Sequence, residues 1–264
     1  MAGHPIRHSE IAPAKLTLSL RITGVRPDGY HLIDAVMTTL DLHDTLTIDE
    51  LSQNELSQNE LSQNEPSQNE PSSVVYTGPF SDGLVGDGRD LVSRALAACG
   101  RHARVEVRKD IPHGGGLGGG SADAAAIFRW AGVDDLDLAA SIGADVPFCV
   151  RGGRARVRGI GEIVEPVADE PGLVTLVIPP LAVSTPLAYR AWDDMGGPHH
   201  PTNDLEPAAL IVEPELATWK KKITDSAGVE PTLAGSGATW FLLGDHGYIA
   251  DDLLGARVLV TRHR

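Results

Sequence analysis

The chain has 264 residues, of which 42% are hydrophobic, enough for one large domain or two modest ones with a buried core. Asp and Glu number 36 against 22 Lys and Arg, and a surface with a formal charge of −14 repels both nucleic-acid phosphates and anionic lipid. Two cysteines, Cys99 and Cys149, are too few for a disulfide framework or a cysteine-based zinc site. The composition therefore argues against nucleic-acid and membrane partners and predicts a globular cytoplasmic protein.

The N-terminal part of the chain predicts two β-strands joined by a turn. Residues 14–24 alternate apolar and polar side chains, which is the period of a half-buried strand, and a second strand-like run covers about 32–48. Between them, the Arg-Pro-Asp-Gly sequence at 26–29 has the composition of a turn. Side chains that follow such a turn can be presented to a ligand.

Residues 51–70 form a tandem repeat, LSQNE three times and then PSQNE, with Pro71 opening a broken fifth copy. A five-residue step turns about 140° net around a helix, so the repeated leucines form no helical stripe, and they do not alternate as a strand face either. A segment that buries nothing cannot offset its ordering entropy. We therefore expect a disordered surface insertion over about 51–71, with a partner-binding tether as the alternative.

The rest of the chain mixes helices and strands without a regular alternation of the two. The composition predicts helices at 90–99, 121–131, 136–142 and 214–223, strands at 104–108, 172–178 and 238–243, and a hairpin-like stretch at 151–162. Irregular mixing favours an α+β fold over a doubly wound parallel sheet. A composition shift near 152–165 marks the predicted domain boundary, giving domains over 1–157 and 158–264.

The most informative stretch is the glycine-rich loop at 112–122, Pro-His-Gly-Gly-Gly-Leu-Gly-Gly-Gly-Ser-Ala. Its six glycines leave backbone N–H groups open to an anion, and we predict that Ser121 caps the helix that follows, adding its dipole and free donors. A flexible linker would not run straight into a capped helix. The pattern therefore predicts a phosphate cradle, although no Gly-Lys-Ser/Thr closes it as in a Walker loop.

The glycine-rich loop resembles the second motif of the GHMP small-molecule kinases, in the form found in 4-diphosphocytidyl-2-C-methyl-D-erythritol kinases. Stretches at 14–31, 143–153 and 203–210 are similar to the same branch, and the turn at 233–239 resembles the third motif. The resemblance covers most of the chain outside 49–73 and the C-terminal end. It implies a two-domain GHMP fold with the active site in the cleft between the domains.

The resemblance also implies an activity. ATP and Mg²⁺ would be the cofactors, and the γ-phosphoryl group would pass to the 2-hydroxyl of 4-diphosphocytidyl-2-C-methyl-D-erythritol, a step of isoprenoid precursor synthesis. Carried over by position, Asp145 is the general base and Lys15 orients it and stabilises charge on the attacking oxygen. A sugar-alcohol hydroxyl is a very weak acid, so a positioned carboxylate must take its proton as the new bond forms. From the residues alone, a surface lysine and a helix-capping aspartate remain open alternatives.

Two sets of binding residues follow from the resemblance. The nucleotide would lie on Pro112, His113, Gly114, Gly115, Gly116, Leu117, Gly118, Gly119, Gly120, Ser121 and Ala122, with Lys109 as the adenine contact. The substrate would meet Thr17, Tyr30, His31, Tyr189, Gly235, Ser236 and Gly237. In this scheme Tyr30 stacks on the cytosine, His31 hydrogen-bonds it and Tyr189 closes its other face, and stacking of this kind is worth about 1–3 kcal/mol per base.

The chain departs from the family pattern at two positions. Thr17 stands where an asparagine is usual, and Ala122 replaces a second serine, which leaves Ser121 as the hydroxyl for phosphate or magnesium in an otherwise undefined metal site. Two alternatives stay open, and the departures motivate the second of them. The chain could be a GHMP kinase for another small alcohol, of the homoserine or mevalonate type, or a non-catalytic GHMP-fold nucleotide-binding protein. The oligomeric state is not predicted.

Overall fold

The computed structural model of the chain describes residues 7–51 and 72–264. In that part, ten strands are formed: β1 (Arg7–Val25), β2 (His31–Glu50), β3 (Ser73–Thr77), β4 (Ala103–Arg108), β5 (Arg154–Gly159), β6 (Ile163–Pro166), β7 (Gly172–Ile178), β8 (Thr232–Leu233), β9 (Trp240–Leu243) and β10 (Arg257–His263). The helices there are α1 (Leu91–Ala98), α2 (Gly119–Ala131), α3 (Leu136–Ile142), α4 (Val146–Arg151), α5 (Thr185–Asp194), α6 (Glu206–Val212) and α7 (Glu215–Ala227), and a 3₁₀ turn covers Gly247–Asp251.

The first sheet is built on a long hairpin of β1 and β2. Their antiparallel register runs from Arg7 opposite Asp49 to Val25 opposite His31. β4 and β5 pair antiparallel with different parts of β2, β3 pairs parallel with β4, and β6 pairs antiparallel with β5. The register of β1 shifts on both sides of the segment that carries Lys15 and Thr17. Such irregularities re-aim side chains, and here they flank two predicted site residues.

The second sheet has the strand order β10-β7-β9-β8, and its neighbouring strands are antiparallel. A single residue pair, His263 with Leu40, joins it to β2 of the first sheet. A hydrophobic cluster packs between the two sheets, including Leu16, Leu117 and Phe241. The chain therefore holds its two halves together through apolar packing more than through strand pairing.

Each sheet also has a core of its own. The first is filled by Phe128 of the alanine-rich α2 and by Phe148 of α4, both fully buried. The second centres on Trp240 of β9, packed with Trp219 and Ile223 of α7. The burial of these apolar side chains is the main contribution to the stability of each half.

The mixed α+β architecture is confirmed, with several local differences. The helix after the glycine-rich loop begins at Gly119, and β3, α4, α5, α6 and β10 form in segments where no element was predicted. The predicted domain boundary at 157 stays a prediction; the β5–β6 hairpin pairs with β2, and the next strand, β7, belongs to the second sheet. In the described ranges, no helix is both long and apolar enough to cross a bilayer.

The repeat insertion, predicted over about 51–71, lies outside the described residues from 52 onward. Its first residue is described, and there the prediction is wrong. Leu51 is buried, and its backbone N–H donates to the carbonyl of His102 at 2.9 Å. Leu51 is thus anchored beside the end of β2.

Candidate active site

A cleft of about 550 Å³ is lined by residues from both halves of the chain and collects most of the predicted site residues. The glycine-rich loop forms one wall, β1 contributes Lys15 and Thr17, and Asp145 lies at the start of α4. The second half of the chain contributes Tyr189 of α5 and the turn at 235–236. Residues more than two hundred positions apart therefore meet in one cavity, which is the usual form of a small-molecule site.

The glycines of the loop are required by both conformation and packing. Gly114, Gly116 and Gly118 have φ values of 75°, 79° and 69°, a region that side-chain-bearing residues rarely adopt. A Cβ at Gly118 would lie 2.7 Å from Cγ of Lys15, and one at Gly116 would lie 2.5 Å from the carbonyl oxygen of Ala234. The loop therefore packs directly against the Lys15 side chain and against Ala234 in the turn at 233–239.

The predicted capping role of Ser121 is wrong. α2 begins two residues earlier, with Gly118 at the N-cap position in a left-handed conformation, and no side chain caps the helix. Because Ser121 lies inside the first turn, its hydroxyl is not placed to cap that turn. The N–H groups at an α-helix N-terminus have no intrahelical acceptor, and with the helix dipole they favour an anion. The absence of a side-chain cap on α2 therefore strengthens the case for a phosphate cradle.

Lys15 and Asp145 form an ion pair inside the cleft. The Lys15 ammonium lies 3.1 Å from Oδ2 of Asp145 and donates to the Thr17 hydroxyl at 3.2 Å. The lysine side chain is 7% exposed and that of Asp145 is 31% exposed, so the carboxylate keeps an open side. Asp145 precedes α4 without making a side-chain capping bond, which removes the helix-cap alternative. The pair can accept a proton and stabilise a developing negative charge.

The predicted substrate residues are only partly brought together. The rings of His31 and Tyr189 lie 4.6 Å apart beside the cleft, and Nε2 of His31 pairs with Asp193 at 2.9 Å. Burial and the nearby charge of Asp145 raise the pKa of Tyr189. Tyr30 is 59% exposed and lies in a neighbouring recess with Arg26. The structure thus pairs His31 with Tyr189 and leaves Tyr30 outside the main cleft.

Lys109 borders the cleft, as predicted, but its ammonium is engaged within the protein. It is buried, and its ammonium is paired with Asp44 and, at 2.5 Å, with Asp123. Burial lowers the pKa of Lys109, but the two carboxylates outweigh it and the net direction is upward. Burial, reinforced by Asp44 and opposed by Lys109, raises the pKa of Asp123 to about 7. Because the ammonium is already occupied, the side chain of Lys109 gives no support to the predicted adenine contact.

Asn203 is a site residue that the sequence analysis did not single out, although the stretch 203–210 was noted. Its buried amide donates to the carbonyls of Leu233 and Gly235, at 2.9 and 2.7 Å, and its oxygen accepts from the N–H of Leu205 at 3.0 Å. Gly235 lies beside Lys15, since a Cβ there would be 3.7 Å from the ammonium. Asn203 therefore holds the third-motif turn beside Lys15, and an asparagine inside a shared motif was the available signal.

The rest of the third-motif turn contributes to the cleft unevenly. Gly235 and Ser236 line the cavity, and the Ser236 hydroxyl pairs with that of Thr185 at 2.7 Å. Gly237 instead lies over the apolar side, where a Cβ would be 3.2 Å from Leu233. Gly235 and Ser236 are thus the part of the turn that faces the cleft.

The residues present fit a nucleotide better than they define a metal site. The open glycine-rich loop and the α2 N-terminus suit a phosphate chain. Over residues 7–51 and 72–264, no group of three or more His, Cys, Asp or Glu side chains could hold a metal. Magnesium in kinase sites commonly uses one or two protein oxygens together with substrate phosphates. Ser121 lines the cleft and remains the predicted hydroxyl ligand.

Comparison with known proteins agrees with this geometry. Residues 89–153 match the family model of the GHMP kinases N terminal domain. The chain is 36% identical to 4-diphosphocytidyl-2-C-methyl-D-erythritol kinase of Paracoccus denitrificans (strain Pd 1222), over 90% of this chain and 87% of the relative. It is 33% identical to the protein of the same name from Agrobacterium fabrum (strain C58 / ATCC 33970), over 88% and 85% of the two chains.

The solved structures agree as well. A crystal structure of 4-(cytidine 5'-diphospho)-2C-methyl-D-erythritol kinase superposes with a TM-score of 0.72 at 29% identity, covering 97% of this chain and 99% of that one. Homoserine kinase from Cytophaga hutchinsonii shares the fold alone, with a TM-score of 0.61 at 17% identity, covering 100% and 97% of the two chains. The cleft, its glycine-rich loop and these full-length similarities lead to one conclusion: the chain belongs to the 4-diphosphocytidyl-2-C-methyl-D-erythritol kinase family of the GHMP kinases.

Proposed function

We propose that this chain is an ATP-dependent kinase that phosphorylates the 2-hydroxyl of 4-diphosphocytidyl-2-C-methyl-D-erythritol. The observation that carries the proposal is the Lys15–Asp145 pair, 3.1 Å apart and open to a cleft whose other wall is the glycine-rich loop. A base, a cation and an anion cradle in one cavity are the parts that phosphoryl transfer to an alcohol requires. Family membership supplies the substrate.

Asp145 is the general base in this proposal. Its exposed oxygen accepts the proton of the substrate hydroxyl while that hydroxyl oxygen bonds to the γ-phosphorus and the bond to ADP breaks. The Lys15 ammonium stabilises the charge that develops on the attacking oxygen and holds the carboxylate in place. Thr17 accepts from the same ammonium at 3.2 Å, so its hydroxyl serves to orient Lys15.

The glycine-rich loop and the first turn of α2 hold the triphosphate. The positive φ values along the loop and the absence of a capping side chain on α2 support this role. Bound ATP would supply the phosphoryl group, and Mg²⁺, which the Ser121 hydroxyl would help to hold, would neutralise charge on the phosphates. The fit of the loop to an anion supports the nucleotide, and the magnesium role follows from the chemistry of kinases.

The cytidyl end of the substrate is proposed to lie against His31 and Tyr189. Their rings are 4.6 Å apart at the side of the cleft, and the imidazole is held by Asp193. Tyr30 lies in the neighbouring recess and would have to turn towards the cleft to stack on the base. Nucleic-acid and membrane partners are not expected for so acidic a chain, and a cytoplasmic location remains a prediction.

The decisive experiment measures ADP release with three alcohols: 4-diphosphocytidyl-2-C-methyl-D-erythritol, homoserine and mevalonate. We expect turnover with the first and at most background rates with the others. A higher rate on homoserine or mevalonate would establish the alternative of a GHMP kinase for another alcohol. ATP binding without turnover on any of the three would establish the non-catalytic alternative, against which the intact Lys15–Asp145 pair already argues.

A further inference from the structure

A buried triad of Asp44, Lys109 and Asp123 lies beneath the glycine-rich loop, and the proposed chemistry does not use it. All three residues are at most 2% exposed. The Lys109 ammonium contacts Oδ2 of Asp44 and lies 2.5 Å from Oδ2 of Asp123. One cation is thus shared by two carboxylates, out of contact with solvent.

The triad joins both ends of the loop to the first sheet. Asp44 belongs to β2, and its Oδ1 accepts from the N–H groups of Asp110 and Ile111, at 2.6 and 2.7 Å, where the loop begins. Asp123 lies in the first turns of α2, just after the loop ends. Since Lys109 bridges the two carboxylates, the loop is closed across its base.

A loop so rich in glycine needs such a closure. Glycine loses more backbone freedom on ordering than any other residue, so a loop with six glycines does not hold a binding geometry by itself. A binding geometry that is already fixed avoids paying the ordering entropy when the ligand arrives. Breaking a buried ion pair is costly because it leaves an uncompensated charge, which makes the closure hard to open.

We propose that the Asp44–Lys109–Asp123 triad is a positioning device that presets the glycine-rich loop for the phosphates of ATP. Lys109 acts in it as the central bridge and does not contact the adenine through its side chain. The inference rests on the proposed function in so far as ATP binds at this loop. Asp44 and Asp123 thus join the residues on which nucleotide binding depends.

The test compares two Asp→Asn variants of equal size. Asp123→Asn keeps the shape of the side chain and removes the charge that ties α2 to Lys109. Asp225→Asn makes the same change in the exposed Lys221–Asp225 pair, at 2.6 Å on the outer surface of α7. ATP affinity is measured by calorimetry without the alcohol substrate at about pH 8.5, above the pKa of about 7 of Asp123, so that its carboxylate is charged in the wild type. We expect Asp123→Asn to weaken it about tenfold and Asp225→Asn to leave it within twofold.

Two further readouts separate positioning from general destabilisation. KM for ATP should rise in Asp123→Asn while KM for the alcohol substrate stays near the wild-type value. Amide hydrogen exchange without nucleotide should speed up over 112–120 while the body of α2 stays protected. Unchanged ATP affinity, or equal acceleration along the whole helix, would overturn the proposal.

A second variant covers the case in which Asp123→Asn does not fold. Lys109→Arg keeps the charge, but its flat, forked guanidinium cannot occupy the same point between two carboxylates. We expect a folded protein with the same selective rise in KM for ATP, and wild-type KM for ATP would count against the triad. If ATP affinity responds as expected but no alcohol is phosphorylated, the proposed function fails and the positioning role stands.

Discussion

Two lysine–carboxylate clusters flank the same glycine-rich loop and differ in their access to the cleft. Lys15 pairs with Asp145, whose side chain is 31% exposed, whereas Lys109 is enclosed by Asp44 and Asp123, which are at most 1% exposed. The first cluster can meet a substrate and exchange a proton with it. In the second, Lys109 and Asp123 border the cleft, but their charged groups are engaged with one another and with Asp44. We therefore expect the same residue types to serve reaction in the first cluster and positioning in the second, according to how open the carboxylate is.

The two clusters also differ in how much stability is lost when one charged partner is removed. Removing one partner of a fully buried pair leaves an uncompensated charge in a medium of low dielectric, which destabilises the fold or the glycine-rich loop. Replacing the partly exposed Asp145 costs less stability, because its open side faces the cleft and the Lys15 ammonium keeps the Thr17 hydroxyl as a partner. Variants of the Lys15–Asp145 pair should therefore change kcat. Variants of the Asp44–Lys109–Asp123 triad should change the geometry of the glycine-rich loop and with it the affinity for ATP.

The largest effect is expected at the open pair. Asp145→Asn keeps the shape of the side chain but cannot accept the hydroxyl proton, so kcat should fall by about 10²–10⁴. ATP affinity by calorimetry and the melting temperature should stay near wild type. Activity within a few-fold of wild type would show that Asp145 is not the base. The two clusters would then no longer differ in that one of them serves the reaction.

The next effect is expected where the loop meets the open pair. Gly118→Val places a branched side chain at a φ of 69° and within 2.7 Å of the Lys15 side chain. Calorimetry should show ATP affinity reduced by at least about 100-fold, with the chain still folded by circular dichroism. Gly132→Ala is the control, since Gly132 also has a positive φ, 69°, but meets no neighbour and lies at the far end of α2. Retained affinity in Gly118→Val would place the phosphates elsewhere.

A smaller effect is expected at Asn203, a buried neutral group on the opposite wall. Asn203→Asp keeps the size but cannot donate to the carbonyls of Leu233 and Gly235, at a cost of about 1–3 kcal/mol in unfolding free energy. Because the turn it holds lies beside Lys15, kcat should fall more than KM for ATP rises. A loss of stability with unchanged kcat would limit Asn203 to a structural role.

The smallest effect is a pH dependence at Asp204, a buried carboxylate that no lysine contacts. Burial raises its pKa, but N–H groups of His200 and Ile22, with His199 and Arg21, outweigh it and hold the pKa below the ordinary 3.8. A lowered pKa in the folded state stabilises the fold above the ordinary value, and this contribution is lost as the pH falls through the lowered one.

The measurement is urea unfolding of wild type and Asp204→Asn between pH 7 and pH 3. At pH 7 the variant should be less stable by about 1–3 kcal/mol, and the difference should narrow below about pH 4. If the difference in unfolding free energy between wild type and Asp204→Asn is constant with pH, the charge of Asp204 does not contribute to stability.

Much of the fold was predictable because its signals are local. Alternation over 14–24 predicted the core of β1, and the alanine-rich run after the glycine-rich loop predicted α2. The short elements α4, α5 and α6 were missed because their first turns contain proline and their bodies are too short for a clear period. Strand β10 was missed because its partner, β7, lies far away in the chain.

The sequence by itself determined the family, the α+β class and the glycine-rich loop, because these depend on residue types at fixed spacings along the chain. The tertiary structure alone decided how Lys109 is paired and how open the carboxylate beside Lys15 is. Asp44 and Lys109 are 65 positions apart, Lys15 and Asp145 twice that distance, and no local pattern reports which carboxylate a lysine will meet. Nor does it report whether that carboxylate is open to a ligand, since exposure is set by everything packed around it.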